Sequence, residues 1–241
     1  MRLLAVIPAR MASTRFPGKP LVDLLGKPMV QWVYEATVRS GVSPRVIVAT
    51  PDREIADTVR SLGGEAVLTR PDHPSGTDRL AEVARSLVYD GYVNVQGDEP
   101  LIRPSAIAAV AEGLKAGADV CSGYCACPPE EEENPAVVKV AVSLEGLALY
   151  FSRYPIPFPR GDRRAPLWKH IGLYAYTRES LLAFPDWGPS PLELTEGLEQ
   201  LRFLEHGRSV RMVEVEPSET AIDTPEQAET VRRLLEVTNG S

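Results

Sequence analysis

Three cations stand close together near the start of the chain: Arg10, Arg15 and Lys19, in the run PARMASTRFPGKPL that begins at Pro8. They follow an apolar segment, LLAVI, that stops at that proline. In an α/β protein the loop leaving the carboxyl end of the first strand is the usual ligand site. A cation cluster there calls for a polyanion, most simply a nucleotide triphosphate, because guanidinium forks match phosphate oxygens. The run is not a P-loop. Aligning Gly18-Lys19 on G-x-x-x-x-G-K-[ST] puts Ser13 at the first glycine and Pro20 at the last position, and no G-x-G-x-x-G occurs there. Phosphate binding would therefore lean on side chains, aided by backbone N–H groups. The bland alternative is a solvated basic loop.

Two carboxylates sit where a metal could use them. Asp98 lies in Asn94-Val-Gln-Gly-Asp-Glu-Pro100, after an apolar strand pattern, and Asp223 lies in Ala221-Ile-Asp-Thr-Pro225, before the last helix pattern. Mg²⁺ takes oxygen ligands and keeps several waters, so two carboxylates suffice when phosphates complete the shell. Taken alone, Asp98 reads equally as a turn former and Asp223 as an acid favoured by a helix dipole. A third candidate loop runs from Thr69 through Arg70, His73, Ser75 and Gly76 to Asp78. Ser75 and Gly76 precede a helix, where free N–H groups and hydroxyls can meet a base or phosphate. An N-cap with a flexible lead-in is the alternative, and His73 alone is not persuasive as a base.

The elements that must position these loops alternate. Leu3–Pro8, Arg45–Thr50, Glu65–Leu68 and Tyr92–Gln96 read as strands. Between and after them, Pro28–Ser40, a helix capped by Asp52 and running to Leu62, Thr77–Leu87 and Pro104–Ala116 read as helices. This repeat predicts a mostly parallel sheet flanked by helices on both faces. The middle changes character. Ala118–Ala126 and Val137–Val142 read as strands joined by the acidic linker Pro128–Pro135, followed by strands Leu147–Ser152 and Lys169–Thr177. This predicts an antiparallel inserted region, roughly residues 134–190, within a single domain spanning 1–241. Helix Leu194–His206, strand Ser209–Val215 and helix Pro225–Val237 close the chain, the last opened by the capping box Thr224-Pro-Glu-Gln227.

The bulk composition narrows the function classes. The 241 residues carry a formal net charge of -7, which argues against nucleic-acid and anionic-membrane binding. No apolar run is long enough to span a bilayer and no signal-peptide pattern opens the chain, so the expectation is a cytoplasmic protein. The three cysteines, Cys121, Cys125 and Cys127, read as buried or half-buried strand thiols rather than as a metal site or disulfide framework.

Together these segments resemble one family, the 3-deoxy-manno-octulosonate cytidylyltransferases, also called CMP-Kdo synthetases. The resemblance rests on PARMASTRFPGKPL, VATPDREIADTV, TRPDHPSGTDRLAEV, YVNVQGDEPLI, NPAVVKV, LYFSRYPIPF, KHIGLYAY, SPLELTEGLEQLRFLEHG and AIDTPEQ, in family order over nearly the whole chain. It implies a nucleotide-diphospho-sugar transferase-like fold and a homodimer formed through the inserted region. It also implies a reaction: CTP and the eight-carbon acid sugar Kdo give CMP-Kdo, for lipopolysaccharide synthesis, and pyrophosphate, with Mg²⁺. By the same likeness Arg10, Ser13, Arg15 and Lys19 face the CTP phosphates, and Arg70, Ser75 and Gly76 face its cytosine or ribose. Asp98 and Asp223 hold magnesium, and Gln96, Arg153, His170, Tyr174, Glu199 and Gln200 line the sugar site. Arg153 offers a fork matched to the sugar carboxylate. The competing readings are transfer to an amino-substituted Kdo or a sialic acid, and a noncatalytic nucleotide-binding regulator. Both carboxylates and all three early cations are retained, which speaks against the regulator.

Overall fold

The first strand, β1 (Leu3–Pro8), has five successive buried residues, Leu3 to Ile7, so both its faces must be covered. In the computed structural model, which describes every residue except 14, 218–220 and 240–241 and omits the side chains of 238 and 239, β1 pairs in parallel with β4 (Val46–Thr50) and β6 (Gly91–Val95). β5 (Glu65–Leu68) extends the sheet in parallel beyond β4. On the other side β10 (Trp168–Thr177) runs antiparallel to both β6 and β7 (Val120–Ala126), and β11 (Val210–Glu214) is parallel to β7. The order is β11-β7-β10-β6-β1-β4-β5. A hairpin of β8 (Lys139–Val142) and β9 (Ala148–Ser152) is attached where β8 pairs with Trp168 and Lys169 at the start of β10.

Alternating residues of β1 feed two separate cores. Leu3, Ala5 and Ile7 pack with residues of α1 (Met29–Arg39), α2 (Arg53–Ser61) and α4 (Pro104–Lys115) on one face. Leu4 and Val6 pack with α3 (Gly76–Ser86), α5 (Arg178–Trp187) and α7 (Leu201–Glu205) on the other. This is the strand period of two applied to a doubly covered sheet. A third, smaller core forms where α8 (Pro225–Asn239) packs Ala228, Val231 and Leu235 against Leu24 and Met29. A short hairpin of β2 (Asp23–Leu24) and β3 (Lys27–Pro28) supplies Leu24, and turns through Leu25 and Gly26, both at positive φ.

Three expectations are corrected. The helix expected over Leu194–His206 is two helices, α6 (Pro191–Glu196) and α7, because Gly197 adopts φ 63° and closes the first. α5 was not expected at all. Thr177 caps it by accepting from the Ser180 N–H at 3.3 Å, and Pro185, a breaker in sequence, sits in its last turn. Asp52 stands at the N-cap of α2, but its carboxylate does not cap that helix; it accepts from the Met11 N–H at 2.7 Å and tethers the cationic loop.

Candidate functional site

A cleft of about 820 Å³ opens at the carboxyl ends of β1 and β6, where strand order reverses direction of growth. Arg10, Ser13, Arg15 and Lys19 line it from the first loop, Ser75, Gly76 and Arg79 from the start of α3, and Gln96 and Asp98 from the loop after β6. Asp223 reaches it from the segment before α8.

The first loop is tied down at several points. Besides the Asp52 tether, the Gly18 N–H donates to the Met11 carbonyl at 3.0 Å, and the Phe16 N–H to Ser13 Oγ at 3.3 Å. Gly18 takes φ 73° to start the 3-10 turn Lys19–Leu21, a conformation that costs glycine little. Gly97 is required for a different reason. A Cβ there would lie 2.7 Å from the Pro8 carbonyl oxygen, so a side chain would force the β1 and β6 loops apart.

Lys19 is the hub. Its ammonium donates to Asp98 Oδ2 at 2.6 Å, to Asp223 Oδ1 at 3.0 Å and to the Ile222 carbonyl at 3.1 Å. Arg15 pairs with the other oxygen of Asp223 at 2.9 Å. Burial works against the Lys19 charge, but the two carboxylates outweigh it and hold its pKa above the ordinary lysine value. Asp223 is positioned by its own helix. Gln227 Oε1 accepts from the N–H groups of Asp223 at 2.7 Å and Thr224 at 3.0 Å, while the Gln227 N–H approaches Thr224 Oγ1 at 3.4 Å. The capping box expected from the sequence thus also fixes a site carboxylate.

Two carboxylates converging on one cation are a donor set that suits Mg²⁺ completed by phosphates and water. Among the described residues no cluster of three His, Cys, Asp or Glu side chains offers a fuller protein cage. Cys121 and Cys125 are buried thiols, as expected, and burial raises their pKa values to about 12 and about 11. Next to Asp98, Glu99 is pushed up to about 8, chiefly by burial and then by the Asp98 charge.

Arg70 is not on the cleft wall. Its side chain is exposed and pairs with Asp72 at 3.2 Å. Arg79, which the sequence reading did not single out, lines the cleft instead. Its guanidinium donates to the Thr69 hydroxyl and, at 3.1 Å, to the Arg70 carbonyl, and it has no carboxylate within ion-pair range among the described residues. Burial and the nearby Arg10 charge lower its pKa. The sequence signal that marks it is an Arg one turn into a helix whose first residues line a ligand cleft.

Of the residues expected at a sugar site, one is part of the cleft wall, while Arg153, His170, Tyr174, Glu199 and Gln200 lie outside it. Gln96 lines the cleft itself. His170 and Tyr174 lie on the α3 side of the sheet, their rings 5.4 Å apart, with Phe151 against His170 at 4.9 Å. Burial lowers His170 to a pKa of about 3, so the ring is neutral. Glu199 comes from the link between α6 and α7, and its Oε2 accepts from the Thr77 N–H at 3.3 Å, which joins this group to the Ser75–Gly76 loop. Burial raises the Glu199 pKa against the hydrogen bonds from Thr77 and Ser75. Gln200 is 3% exposed. Arg153 donates to the carbonyls of Glu196, Pro135 and Gly197 at 2.8, 2.9 and 3.3 Å, binding the end of β9 to two neighbouring segments. Three of the five guanidinium N–H groups are thereby used, leaving two for a ligand.

The chain matches the model of a cytidylyltransferase family over residues 4–212. It is 51% identical over 244 residues to a 3-deoxy-manno-octulosonate cytidylyltransferase of Syntrophobacter fumaroxidans, covering 98% of this chain and 97% of that one. The corresponding protein of Vibrio vulnificus is 46% identical, with 98% of each chain covered. Among solved structures, CMP:2-keto-3-deoxy-manno-octonic acid synthetase complexed with CTP superposes with a TM-score of 0.95 at 42% identity, covering 99% of this chain and 100% of the other. A 4-diphosphocytidyl-2C-methyl-D-erythritol synthase from Anaerococcus prevotii shares the fold, with a TM-score of 0.69 at 12% identity over 98% of this chain and 99% of that one.

Proposed function

We propose that this chain, which belongs to the 3-deoxy-manno-octulosonate cytidylyltransferase family, transfers CMP from CTP to the anomeric hydroxyl of Kdo and releases pyrophosphate. The observation that carries the reading is the convergence of Asp98, Asp223, Lys19 and Arg15 in one cleft that the Ser75–Gly76 helix start also lines.

In this reading the sugar hydroxyl attacks the α-phosphorus of CTP, and the bond to the bridging oxygen of the β-phosphate breaks. Arg10, Arg15 and Lys19 offset the negative charge of the triphosphate and the charge growing on the leaving pyrophosphate. Asp98 and Asp223 would hold Mg²⁺, which when bound supplies charge neutralisation and a lowered pKa for a hydroxyl it touches. Arg79 would bind the nucleotide from the α3 side, and Ser75 and Gly76 would present hydroxyl and N–H groups beside it. Glu199, His170 and Gln96 would orient the sugar, leaving Arg153 to meet its carboxylate. Positioning of this kind supplies much of the acceleration in phosphoryl-group transfer.

A homodimer is part of the reading. Leu149, Tyr154 and Phe158, on β9 and just after it, are 64%, 70% and 80% exposed, an apolar surface suited to a second copy. No helix among the described residues is long and apolar enough to cross a membrane, and a cytoplasmic setting fits a CTP-using enzyme with free thiols.

The deciding experiment is pyrophosphate release with CTP, Mg²⁺ and Kdo, beside Kdo-free, sialic-acid and Asp98→Ala controls. Release that requires Kdo and collapses in the variant supports the reaction and the carboxylate's role. Release with a different acid sugar keeps the mechanism and overturns the substrate. Silence with every sugar, despite tight CTP binding, would favour a regulator.

A further inference from the structure

β10 carries an irregularity beside the site. Ile171 stands opposite Gly123 and Tyr174 opposite Ser122, so Gly172 and Leu173 have no partner on β7. Bulges of this kind break the ladder, leave carbonyls to be satisfied by other donors and re-aim neighbouring side chains. Gly172 is suited to the place, since a Cβ on it would lie 3.1 Å from Glu99 Oε1.

Ser122 occupies the gap. It is fully buried, and its Oγ lies 2.9 Å from the Leu173 carbonyl, 3.4 Å from the Ile171 carbonyl and 2.8 Å from His170 Nε2. A hydroxyl has one proton and two acceptor lone pairs. Carbonyl oxygens only accept, so the short approach to Leu173 requires the Ser122 proton to point there. Turning that proton to the imidazole would leave two oxygens 2.9 Å apart with no hydrogen between them. Ser122 is therefore an acceptor toward the ring, and His170 must carry its proton on Nε2.

We propose that Ser122 is a positioning residue: its hydroxyl, locked by the β10 bulge, fixes His170 as the Nε2–H tautomer and so presents Nδ1 as a hydrogen-bond acceptor for a hydroxyl of the sugar substrate. The second half rests on the sugar-site reading of His170 given above; the first half does not. The neighbours leave the ring little freedom to rotate, since Phe151 packs edge-on to it at 4.9 Å and Tyr174 lies 5.4 Å away. An acceptor at Nδ1 distinguishes a hydroxyl-bearing ligand from one that offers only lone pairs at that point. The other tautomer would place a donor there, which a hydroxyl and a bare lone pair can both accept, and the discrimination would be lost.

Long-range ¹⁵N–¹H correlation spectra of the imidazoles test the assignment on the unmodified protein. The chain has three histidines, His73, His170 and His206, so comparison with His170→Gln assigns the signals. At neutral pH, His170 is expected as the Nε2–H tautomer. In Ser122→Ala it is expected as a tautomer mixture, with KM for Kdo raised about tenfold and KM for CTP unchanged, on the order of one neutral hydrogen bond. An Nδ1–H tautomer in the unmodified protein, or an unaltered Nε2–H signal in Ser122→Ala, overturns the proposal. A third result is distinguishable from these. If the tautomer shifts as expected but neither Ser122→Ala nor His170→Gln changes the sugar KM, Ser122 still positions His170 and the sugar-site reading of that ring is what fails.

Discussion

The Lys19 ammonium lies 2.6 Å from an oxygen of Asp98 and 3.0 Å from one of Asp223, in the place between two carboxylates that a divalent cation would contest. Lysine and metal are therefore competitors for the same anions, while both are attracted to the triphosphate. Lys19→Met should separate the two effects. Without nucleotide, Mn²⁺ or Mg²⁺ binding followed by calorimetry should tighten, because the internal cation is gone. Turnover should fall by on the order of 10²–10³-fold, the usual loss when one charge-stabilising donor is removed from a reacting centre. Weaker metal binding in Lys19→Met would mean that the carboxylates are not shared in this way.

Arg79 faces the cleft with its charge unpaired by any carboxylate among the described residues, and a buried cation of that kind is stabilised by an anionic or carbonyl-bearing ligand. Arg79→Met should raise KM for CTP by about 10- to 100-fold, the loss of a charged hydrogen bond worth ~1.5–3 kcal/mol. Kdo saturation should be little altered. Arg70→Met, at an exposed residue turned toward Asp72, should change KM for CTP less than threefold. The reverse ranking would return the nucleotide role to Arg70.

Much of this arrangement was legible from residue types. The βα alternation of the first half follows from short apolar runs separated by caps and glycines, and the sheet order places Arg10, Lys19, Asp98 and Ser75 at one end of it. Asp98 and Asp223 are 125 residues apart in sequence, and their meeting depends on α8 folding back over Leu24 and Met29, a tertiary event no local pattern encodes. Arg79 is hidden in the sequence because helix periodicity marks position 79 as an inward-facing place, where an arginine looks like an exception rather than a ligand. The sequence around Asp52 shows only its local helix, whereas the loop after β1 competes for the same carboxylate and takes it. α5 was hidden by Pro185, which is tolerated because it falls in the final turn. The split between α6 and α7 turns on the single backbone conformation of Gly197.

Arg153 tests whether a side chain can serve structure and ligand together. Three carbonyls hold its fork in place, and the two remaining N–H groups suit a carboxylate. Arg153→Ala should raise KM for Kdo far more than KM for CTP. Arg153→Lys should recover little, since an ammonium cannot bridge three carbonyls and still present a fork. Equal effects on both Michaelis constants would place Arg153 in the scaffold alone.

Arg202 is 2% exposed and forms a two-point bond to Glu193, at 2.7 Å from Nε and 2.6 Å from the terminal nitrogen, with a third bond to the Phe184 carbonyl at 3.1 Å. Its guanidinium also lies 3.8 Å from the centre of the Phe184 ring. Arg202→Met leaves Glu193 buried without its counter-ion, so the expected loss is about 3–5 kcal/mol, seen in urea denaturation. Arg202→Met with Glu193→Gln removes the Glu193 charge, keeps an acceptor for the Ser190 N–H at the start of α6, and should recover most of that loss, since Asp78, 3.9 Å from Arg202, keeps its bond from the Ser75 hydroxyl. Equal instability of single and double variants would show that packing, not the uncompensated charge, sets the cost.

The buried His170 ring makes stability depend on pH in a stated direction. Burial holds its folded-state pKa near 3, whereas the unfolded chain titrates it near 6.5. Between these values the unfolded state binds a proton that the folded state refuses, so stability attributable to this residue falls as pH drops below 6.5 and is constant above it. The slope approaches but does not exceed about 1.4 kcal/mol per pH unit for one group. Carboxylates such as Glu65 and Glu82, held low by Arg45 and His73, add a loss of the same sign further down the acid range. His170→Gln separates the contributions. Unfolding free energies measured from pH 7.5 to 4.5 should fall more steeply in the unmodified protein than in the variant, with the two curves diverging below pH 6.5. Parallel curves would mean that the ring accepts its proton in the folded state as readily as in the unfolded one.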